Sequence, residues 1–254
     1  MQSRILLGLA FFTAIAAYAQ SESSRSVDKS HVYVRRFSIG ATLDVNGLPT
    51  IKDRNTTKIT STPPVAGSYT TTGASQRLGY GVTGQIAVTA KFAVNASLFL
   101  HRVGYNMNSN EFLGVFDPNA TVDNRTHQVS NEDTRARFYD LPVAVRYYGK
   151  SRYAPGPRWF VEGGASLRRV YNIRTSIDTT VNSGTTSCCA TAPISPARRS
   201  THGFVGGLGA QFIDPFGIRV VPEVRYTRWQ GKIFDNLSSS MQVNQVEAIV
   251  SLTF

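Results

Sequence analysis

Charged side chains recur at alternate positions within otherwise apolar stretches of this 254-residue chain. Glu223 and Arg225 are two residues apart in "PEVRYTRW", and Glu247 stands among apolar residues in "VEAIVSLTF". Residues two apart lie on one face of a β-strand, so these charges would face a common interior. Burying a charge is costly unless an opposite charge pairs with it. We therefore expect an interior charge network of Asp140, Arg146, Glu162, Arg168, Arg219, Glu223, Arg225 and Glu247, with Asp44 and Lys91 on the same phase.

The sequence gives little support for catalysis. Acyl hydrolysis or transfer needs a base and a nucleophile on one accessible patch, typically His beside Ser. No histidine belongs to a His-x-Ser pattern on an outward strand phase, and we predict tail, loop or rim positions for His31, His101, His127 and His202. Potential metal ligands are not clustered along the chain. We therefore predict a protein that is not an enzyme, and nothing in the sequence indicates a metal or a cofactor.

The N-terminus predicts export. Arg4 precedes the apolar run "ILLGLAFFTAIAAYA", which ends on the small residues Ala17 and Ala19, as a secretory signal peptide does before its cleavage site. A membrane anchor is the alternative, but the run is shorter than the roughly 20 residues that a bilayer requires. We predict a signal peptide over residues 1–19 and a short periplasmic tail over 20–33. The basic residues behind the net charge of +11 are dispersed, and export argues against a nucleic-acid partner.

Eight segments within residues 34–254 alternate apolar with polar residues, each about as long as a bilayer-crossing strand. The first, third and fifth connections, residues 46–76, 106–135 and 172–200, are long and polar. The second, fourth and sixth are short, and the seventh, 230–242, is intermediate. This asymmetry predicts an eight-stranded antiparallel up-and-down transmembrane β-barrel with short periplasmic turns and four outer loops. A soluble barrel or sandwich is the alternative, because alternating strands also build those folds.

Four arginines fall on the apolar phase of the predicted strands, each about ten residues from the short-turn end: Arg102, Arg137, Arg169 and Arg228. At about 3.4 Å per residue and a tilt near 45°, ten residues climb roughly 24 Å, which places all four at the outer rim. An arginine belt at this height can bind the phosphates of lipopolysaccharide in bidentate fashion. The alternative is that the four side chains simply snorkel to water.

Aromatic residues cluster near the ends of the predicted strands, as expected at the interfaces between lipid tails and headgroups. On the short-turn side these residues are Phe37, Phe92, Tyr147, Trp159, Phe212 and Phe254, and on the other side Tyr105, Tyr139, Tyr226 and Trp229.

The two cysteines, Cys188 and Cys189, are adjacent in a predicted loop. A vicinal disulfide, a bond between chains and two free thiols are all open for this pair.

The segments "FYDLPVAVRYYG", "WFVEGGASL", "GFVGGLGAQF", "PEVRYTRW" and "VEAIVSLTF" resemble the small outer-membrane β-barrel family that includes outer membrane proteins A and X and related porin-like barrels. The resemblance lies in the pattern of strands and turns rather than in one diagnostic motif. It implies an eight-stranded barrel whose last strand, ending on Phe254, is read by the barrel-assembly machinery. Pro142 and Pro222 depart from the pattern, because each removes a ladder donor inside a strand, and we predict bulges at both.

These observations together predict a monomeric integral protein of the bacterial outer membrane, with the barrel over residues 34–254. Its lumen would be filled by ion pairs, and its partners would be outer-membrane lipid and lipopolysaccharide. The expected role is envelope integrity or surface interaction. A narrow porin or transporter for small solutes is the main alternative, and a lipid-modifying enzyme is a third, because fold alone does not decide function.

Overall fold

The computed structural model describes residues 35–73, 77–182, 185–190, 195–236 and 239–254, with the backbone alone for 185–190. The predicted signal peptide and periplasmic tail lie outside these residues. Among the described residues, no helix is long and apolar enough to cross a membrane. The strands in chain order are β1 (Phe37–Asn46), β2 (Ile51–Lys52), β3 (Arg54–Ser61), β4 (Pro64–Gly73), β5 (Leu78–Ala87), β6 (Phe92–Leu113), β7 (Thr126–Tyr148), β8 (Arg158–Val181), β9 (Thr185–Ala190), β10 (Ser200–Ile213), β11 (Arg219–Trp229), β12 (Ser240–Met241) and β13 (Asn244–Thr253).

Eight of these strands form a closed antiparallel ring. Strand β1 pairs with β13 on one side and with β5 on the other. The ring continues from β5 through β6, β7, β8, β10 and β11 to β13. Closure leaves no barrel strand with an unpaired edge, which a hydrocarbon environment requires. The predicted eight-stranded antiparallel barrel is confirmed.

The barrel wall carries its apolar side chains on the outside. Leu43, Val143 and Leu208 are 54%, 44% and 63% exposed. On the inner face, the buried hydroxyls of Thr42 and Ser251 are hydrogen-bonded at 2.8 Å. A soluble barrel buries its apolar face, whereas a membrane barrel turns that face to lipid. The soluble alternative is therefore excluded.

Strands β6, β7 and β8 are 22 to 24 residues long. At a tilt near 45° they climb roughly 50–60 Å, about twice the apolar band of about 25 Å. Strands β3 and β4 form a hairpin that continues the sheet beside upper β6, and β9 pairs with upper β8. We call these upper strand segments, with β3, β4 and β9, the surface sheet. The connections predicted over 46–76, 106–135 and 172–200 are thus largely strand. The Thr residues that recur in β3, β4 and β9 favour strand pairing.

The bulges predicted at the two prolines are not formed, so that prediction was wrong. Pro142 pairs with β8, and Pro222 with β13, without a register shift. On the opposite side of each proline the pairing lapses for two residues and resumes in the same register. The missing N–H therefore costs only a local break in one ladder. The pairing of β7 with β8 has its register shift higher up, between Arg135 and Arg137.

Candidate functional site

The lumen nearer the short turns holds the lower charge cluster, defined as Arg146, Glu162, Glu223 and Arg225. Arg146 Nε donates to Glu162 Oε2 at 2.7 Å, and Arg146 Nη2 donates to Glu223 Oε2 at 2.5 Å. Arg225 Nε donates to Glu162 Oε1 at 3.0 Å, and Arg225 Nη2 lies 2.7 Å from Glu223 Oε1. Arg146 Nη1 also donates to Gln85 Oε1 at 3.2 Å. These bonds join β5, β7, β8 and β11 across the lumen, and the four charged side chains are buried.

The upper charge cluster, defined as Asp44, His101, Asp140 and Arg168, lies next along the lumen. Arg168 binds the Asp140 carboxylate through Nε at 2.7 Å and Nη2 at 2.5 Å. His101 Nε2 is 2.8 Å from Asp44 Oδ2, and His101 Nδ1 is 3.1 Å from Asp140 Oδ2. Two carboxylates facing both ring nitrogens suit a positively charged imidazolium. His101 is 3% exposed, so its predicted position at a rim was wrong.

Three further residues of the predicted interior set are placed differently from these clusters. Glu247 lies opposite Arg225 in the β11–β13 register and accepts a hydrogen bond from Gln245 Nε2. Arg219 is buried at the short-turn end of β11, and the ion pairs found among the described residues do not include it. Lys91 lies exposed in the turn before β6, so its assignment to the inward phase was wrong.

Aromatic rings stack on two of the arginines inside the lumen, one in each charge cluster. The Arg168 guanidinium lies 4.2 Å from the Trp229 ring centroid, and Arg146 lies 4.4 Å from that of Phe160. Trp229 Nε1 also donates to Gln245 Oε1 at 2.9 Å. Cation–π contacts of this kind are strongest where water is excluded. The prediction that Trp229 lies in an interfacial girdle was therefore wrong, because the ring is 4% exposed inside the barrel.

An apolar cluster closes the outer mouth of the lumen, and sequence reasoning missed it. Ile51, Ile233, Phe234 and Met241 come from the segments around β2 and β12 and are at most 3% exposed. They pack against inward-facing residues of β6, β7 and β8, including Tyr105, whose predicted interfacial position was wrong. We call this group the mouth cluster. Its sequence signal is a few isolated apolar residues in polar connections, which periodicity does not detect.

Fold closure brings together three potential metal ligands that the sequence keeps apart. Ligand atoms of Asp44, His101 and Glu247 all lie within 4.8 Å of one another, from β1, β6 and β13. This group could not be predicted from the sequence, because its three members are far apart along the chain. In the structure both ring nitrogens of His101 face carboxylates, Nε2 that of Asp44 and Nδ1 that of Asp140.

The four arginines of the predicted belt are all exposed on the outer face. Arg102 and Arg137 lie directly opposite each other across β6 and β7, and Arg169 lies opposite Tyr139 across β8 and β7. Along β6 the outward residues change at Arg102 from the apolar series Val94, Ala96, Leu98 and Leu100 to the polar series Asn106, Asn108 and Asn110. The belt therefore marks the level at which the outer surface of β6 turns from apolar to polar.

A cleft of about 520 Å³ opens on the outer face beside the belt. Its walls include Arg169 and Arg199 together with the rings of Tyr139 and Tyr171.

At the other end of the barrel, Phe254 is 63% exposed, and its backbone N–H donates to Ile39 O at 3.0 Å. Cys188 and Cys189 lie in strand β9, where only the backbone is described, so the prediction that they lie in a loop was wrong.

The tip of the connection between β6 and β7 combines an ordered ion pair with exposed apolar residues. Arg125 Nη2 donates to Asp123 Oδ2 at 2.6 Å, and hydrogen bonds from Arg125 lower the pKa of Asp123 to about 2. The Arg125 guanidinium also lies 4.7 and 4.9 Å from the ring centroids of Phe112 and Phe116. Val122 nearby is 76% exposed. The tip thus holds a defined shape while presenting apolar surface.

A closed ring of eight antiparallel strands with an apolar exterior and an ionic interior defines a small transmembrane β-barrel. Barrels of this kind belong to the bacterial outer membrane, and the protein is located there. The predicted location is confirmed.

No family model and no curated protein matches the chain. Among solved structures it is similar to the attachment invasion locus protein, Ail, of Yersinia pestis, at 10% identity over 86% of this chain and 96% of that chain, with a TM-score of 0.35. The same protein in complex with the heparin analogue sucrose octasulfate matches at 11% identity over the same shares, with a TM-score of 0.34. Likeness at this level shows no activity, substrate or partner for this chain.

Proposed function

We propose that the protein is a non-conducting outer-membrane barrel that supports envelope integrity and presents its surface sheet for interaction outside the cell. The observation that carries this proposal is the filling of the lumen at three levels, by the lower charge cluster, the upper charge cluster and the mouth cluster. A hydrated pore needs a continuous polar path, and an eight-stranded barrel is only wide enough for its side chains to fill. A narrow porin is therefore the weaker candidate.

Lipopolysaccharide is the proposed lipid partner. The support is the height of Arg102, Arg137, Arg169 and Arg228, together with the cleft that Arg169 shares with Arg199. Guanidinium groups bind phosphate oxygens through two parallel hydrogen bonds, which lysine does not do. The proposal also includes insertion by the barrel-assembly machinery, with Phe254 as its signal, and a monomeric state.

The exposed apolar tip between β6 and β7 supports the surface-interaction part of the proposal. Surface patches of apolar residues held in a fixed shape are typical of binding surfaces. Phe116 is 56% exposed and Val115 73% exposed, on the same tip that Arg125 orders.

A deletion strain tests the function directly. We expect loss of the protein to increase the uptake of a hydrophobic dye, because envelope packing is weakened, while the uptake of a small hydrophilic solute stays unchanged. A porin would give the opposite pattern, with slower uptake of the hydrophilic solute and no change for the dye. That pattern would overturn the proposal.

The lipopolysaccharide contact is tested on the purified protein in phospholipid vesicles with and without added lipopolysaccharide. We expect lipopolysaccharide to raise the unfolding midpoint of the unmodified protein. A variant with all four belt arginines changed to Gln should lose most of that rise, whereas the matched change Arg174→Gln, on the exposed part of β8 above the belt, should keep it. An equal rise in both variants would favour simple snorkelling.

A further inference from the structure

Within the part of the chain that the structure describes, two arginines at the short-turn opening of the lumen have no carboxylate partner. Arg158 is the first residue of β8 and Arg219 the first of β11, and each side chain is 2% exposed. Both flank β10, where Arg158 pairs with Gln211 and Arg219 with Ile213. Neither arginine belongs to an ion pair found among the described residues, and Arg219 Nη1 is buried without a hydrogen-bond partner.

The neighbouring groups do not offset these two charges. Arg158 Nη1 donates to the neutral Gln211 Oε1 at 3.2 Å, and Arg158 Nε to Lys150 O at 3.3 Å. Its guanidinium stacks on Tyr148, 3.9 Å from the ring centroid. Two further cations, Arg219 and Arg152, lie within electrostatic range of Arg158. Repulsion between buried charges of the same sign destabilises the folded protein.

Two aromatic rings lie between Arg158 and the lower charge cluster, whose carboxylates already bind other arginines. Tyr148 and Phe160 pack together, with ring centroids 5.3 Å apart. Arg158 stacks on Tyr148, while Arg146 of the lower charge cluster stacks on Phe160. Glu162 and Glu223 bind Arg146 and Arg225, so neither is available to Arg158 or Arg219.

The short turns add positive charge on the same side. Residues 88–91, 149–157 and 214–218 contain Lys91, Lys150 and Arg152 but one acidic residue, Asp214. The Asp214 carboxylate is used by its own turn, accepting hydrogen bonds from the backbone of Phe216 and Ile218 at 3.0 and 2.8 Å. Among the described residues, positive charge is therefore concentrated at the short-turn end of the barrel.

We propose that Arg158 and Arg219 form a binding site for a phosphate group at the short-turn opening of the lumen, with Arg152 beside it. A tetrahedral anion accepts hydrogen bonds from several guanidinium forks at once. The phosphate could belong to a phospholipid headgroup of the periplasmic leaflet or to a soluble phosphate, since both present the same oxygens.

The test measures unfolding midpoints of the full mature chain folded in an uncharged detergent, with inorganic phosphate titrated against chloride at constant ionic strength. We expect phosphate to raise the midpoint saturably in the unmodified protein. Arg219→Gln should raise the dissociation constant about tenfold or more, because a charge-assisted hydrogen bond is lost. In phosphate-free buffer Arg219→Gln should be at least as stable as the unmodified protein, because the repulsion with Arg158 is relieved. Arg174→Gln, exposed on the upper part of β8, the strand that begins with Arg158, is the matched control and should respond to phosphate normally.

A second arm uses vesicles of phosphatidylglycerol in place of soluble phosphate. Stabilisation by the lipid alone assigns the site to a headgroup, and stabilisation by inorganic phosphate assigns it to a soluble anion. Direct binding of radiolabelled phosphate to the unmodified protein decides the outcome if Arg219→Gln does not fold. The proposal is overturned if neither phosphate nor phosphatidylglycerol binds, or if Arg219→Gln and Arg174→Gln respond equally.

Discussion

The lower charge cluster makes a quantitative prediction for Arg146→Met. This change keeps most of the side-chain length but removes the cation that binds Glu162 at 2.7 Å and Glu223 at 2.5 Å. Removing one partner of a buried ion pair costs about 3–5 kcal/mol, because the remaining charges stay buried without compensation. Arg225 still contacts both carboxylates, so we expect a loss near 3 kcal/mol, the lower end of that range.

The assay is urea unfolding of the protein in phospholipid vesicles, followed by tryptophan fluorescence, since Trp229 lies in the lumen and Trp159 on the outer face. Arg102→Met, on the exposed outer rim, is the matched control and should change the free energy of unfolding by less than about 1 kcal/mol. Adding Glu223→Gln to Arg146→Met removes the uncompensated carboxylate. The double variant should then lose about 1–3 kcal/mol less than the sum of the single changes. A loss below about 1 kcal/mol for Arg146→Met, or strict additivity in the cycle, would refute the reasoning.

Two further predictions concern the mouth cluster and the wall beside the upper charge cluster. Phe234→Ala should lower the free energy of unfolding by about 3–5 kcal/mol and speed proteolysis of the β11–β13 connection, because its ring is buried. Phe216→Ala, at a turn residue that is 90% exposed, should do neither, and equal behaviour of the two would contradict the cluster. Gly79→Ala should destabilise the barrel by about 1–3 kcal/mol, as measured by the urea midpoint, because its Cβ would overlap the Asp44 carboxylate. Gly84→Ala in the same strand, where Ser38 O at 3.9 Å is the nearest atom, should be neutral, and a reversed order would show that the wall at Gly79 is looser than described.

The barrel itself could be predicted from the sequence because the apolar and polar residues of each strand alternate, which shows which side chains face lipid. Residues such as Val143 and Leu208 face lipid and their neighbours face the lumen, so a period of two and the lengths of the turns define the ring. The charged residues of the lower charge cluster carried the same local signal, since Glu223 and Arg225 share one phase.

The partners of those charges could not be predicted, because they depend on which strands face each other across the lumen. His101 bridges Asp44 on β1 and Asp140 on β7, which only closure of the ring brings together. The inward turn of Phe234 depends on how a polar connection folds back over the mouth, for which the sequence has no periodic signal. The lack of a carboxylate partner for Arg158 and Arg219 likewise could not be predicted. It follows from the structure, in which Glu162 and Glu223 bind other arginines.

Single-channel recording of the intact protein in planar bilayers tests the central claim most directly, since that claim is that the lumen is filled. We predict a baseline without steady openings in the unmodified protein. Phe234→Ala combined with Arg146→Met should show brief openings, because it removes side-chain atoms from the mouth cluster and from the lower charge cluster. Stable and substantial conductance through the unmodified protein would contradict the filled lumen and favour a pore.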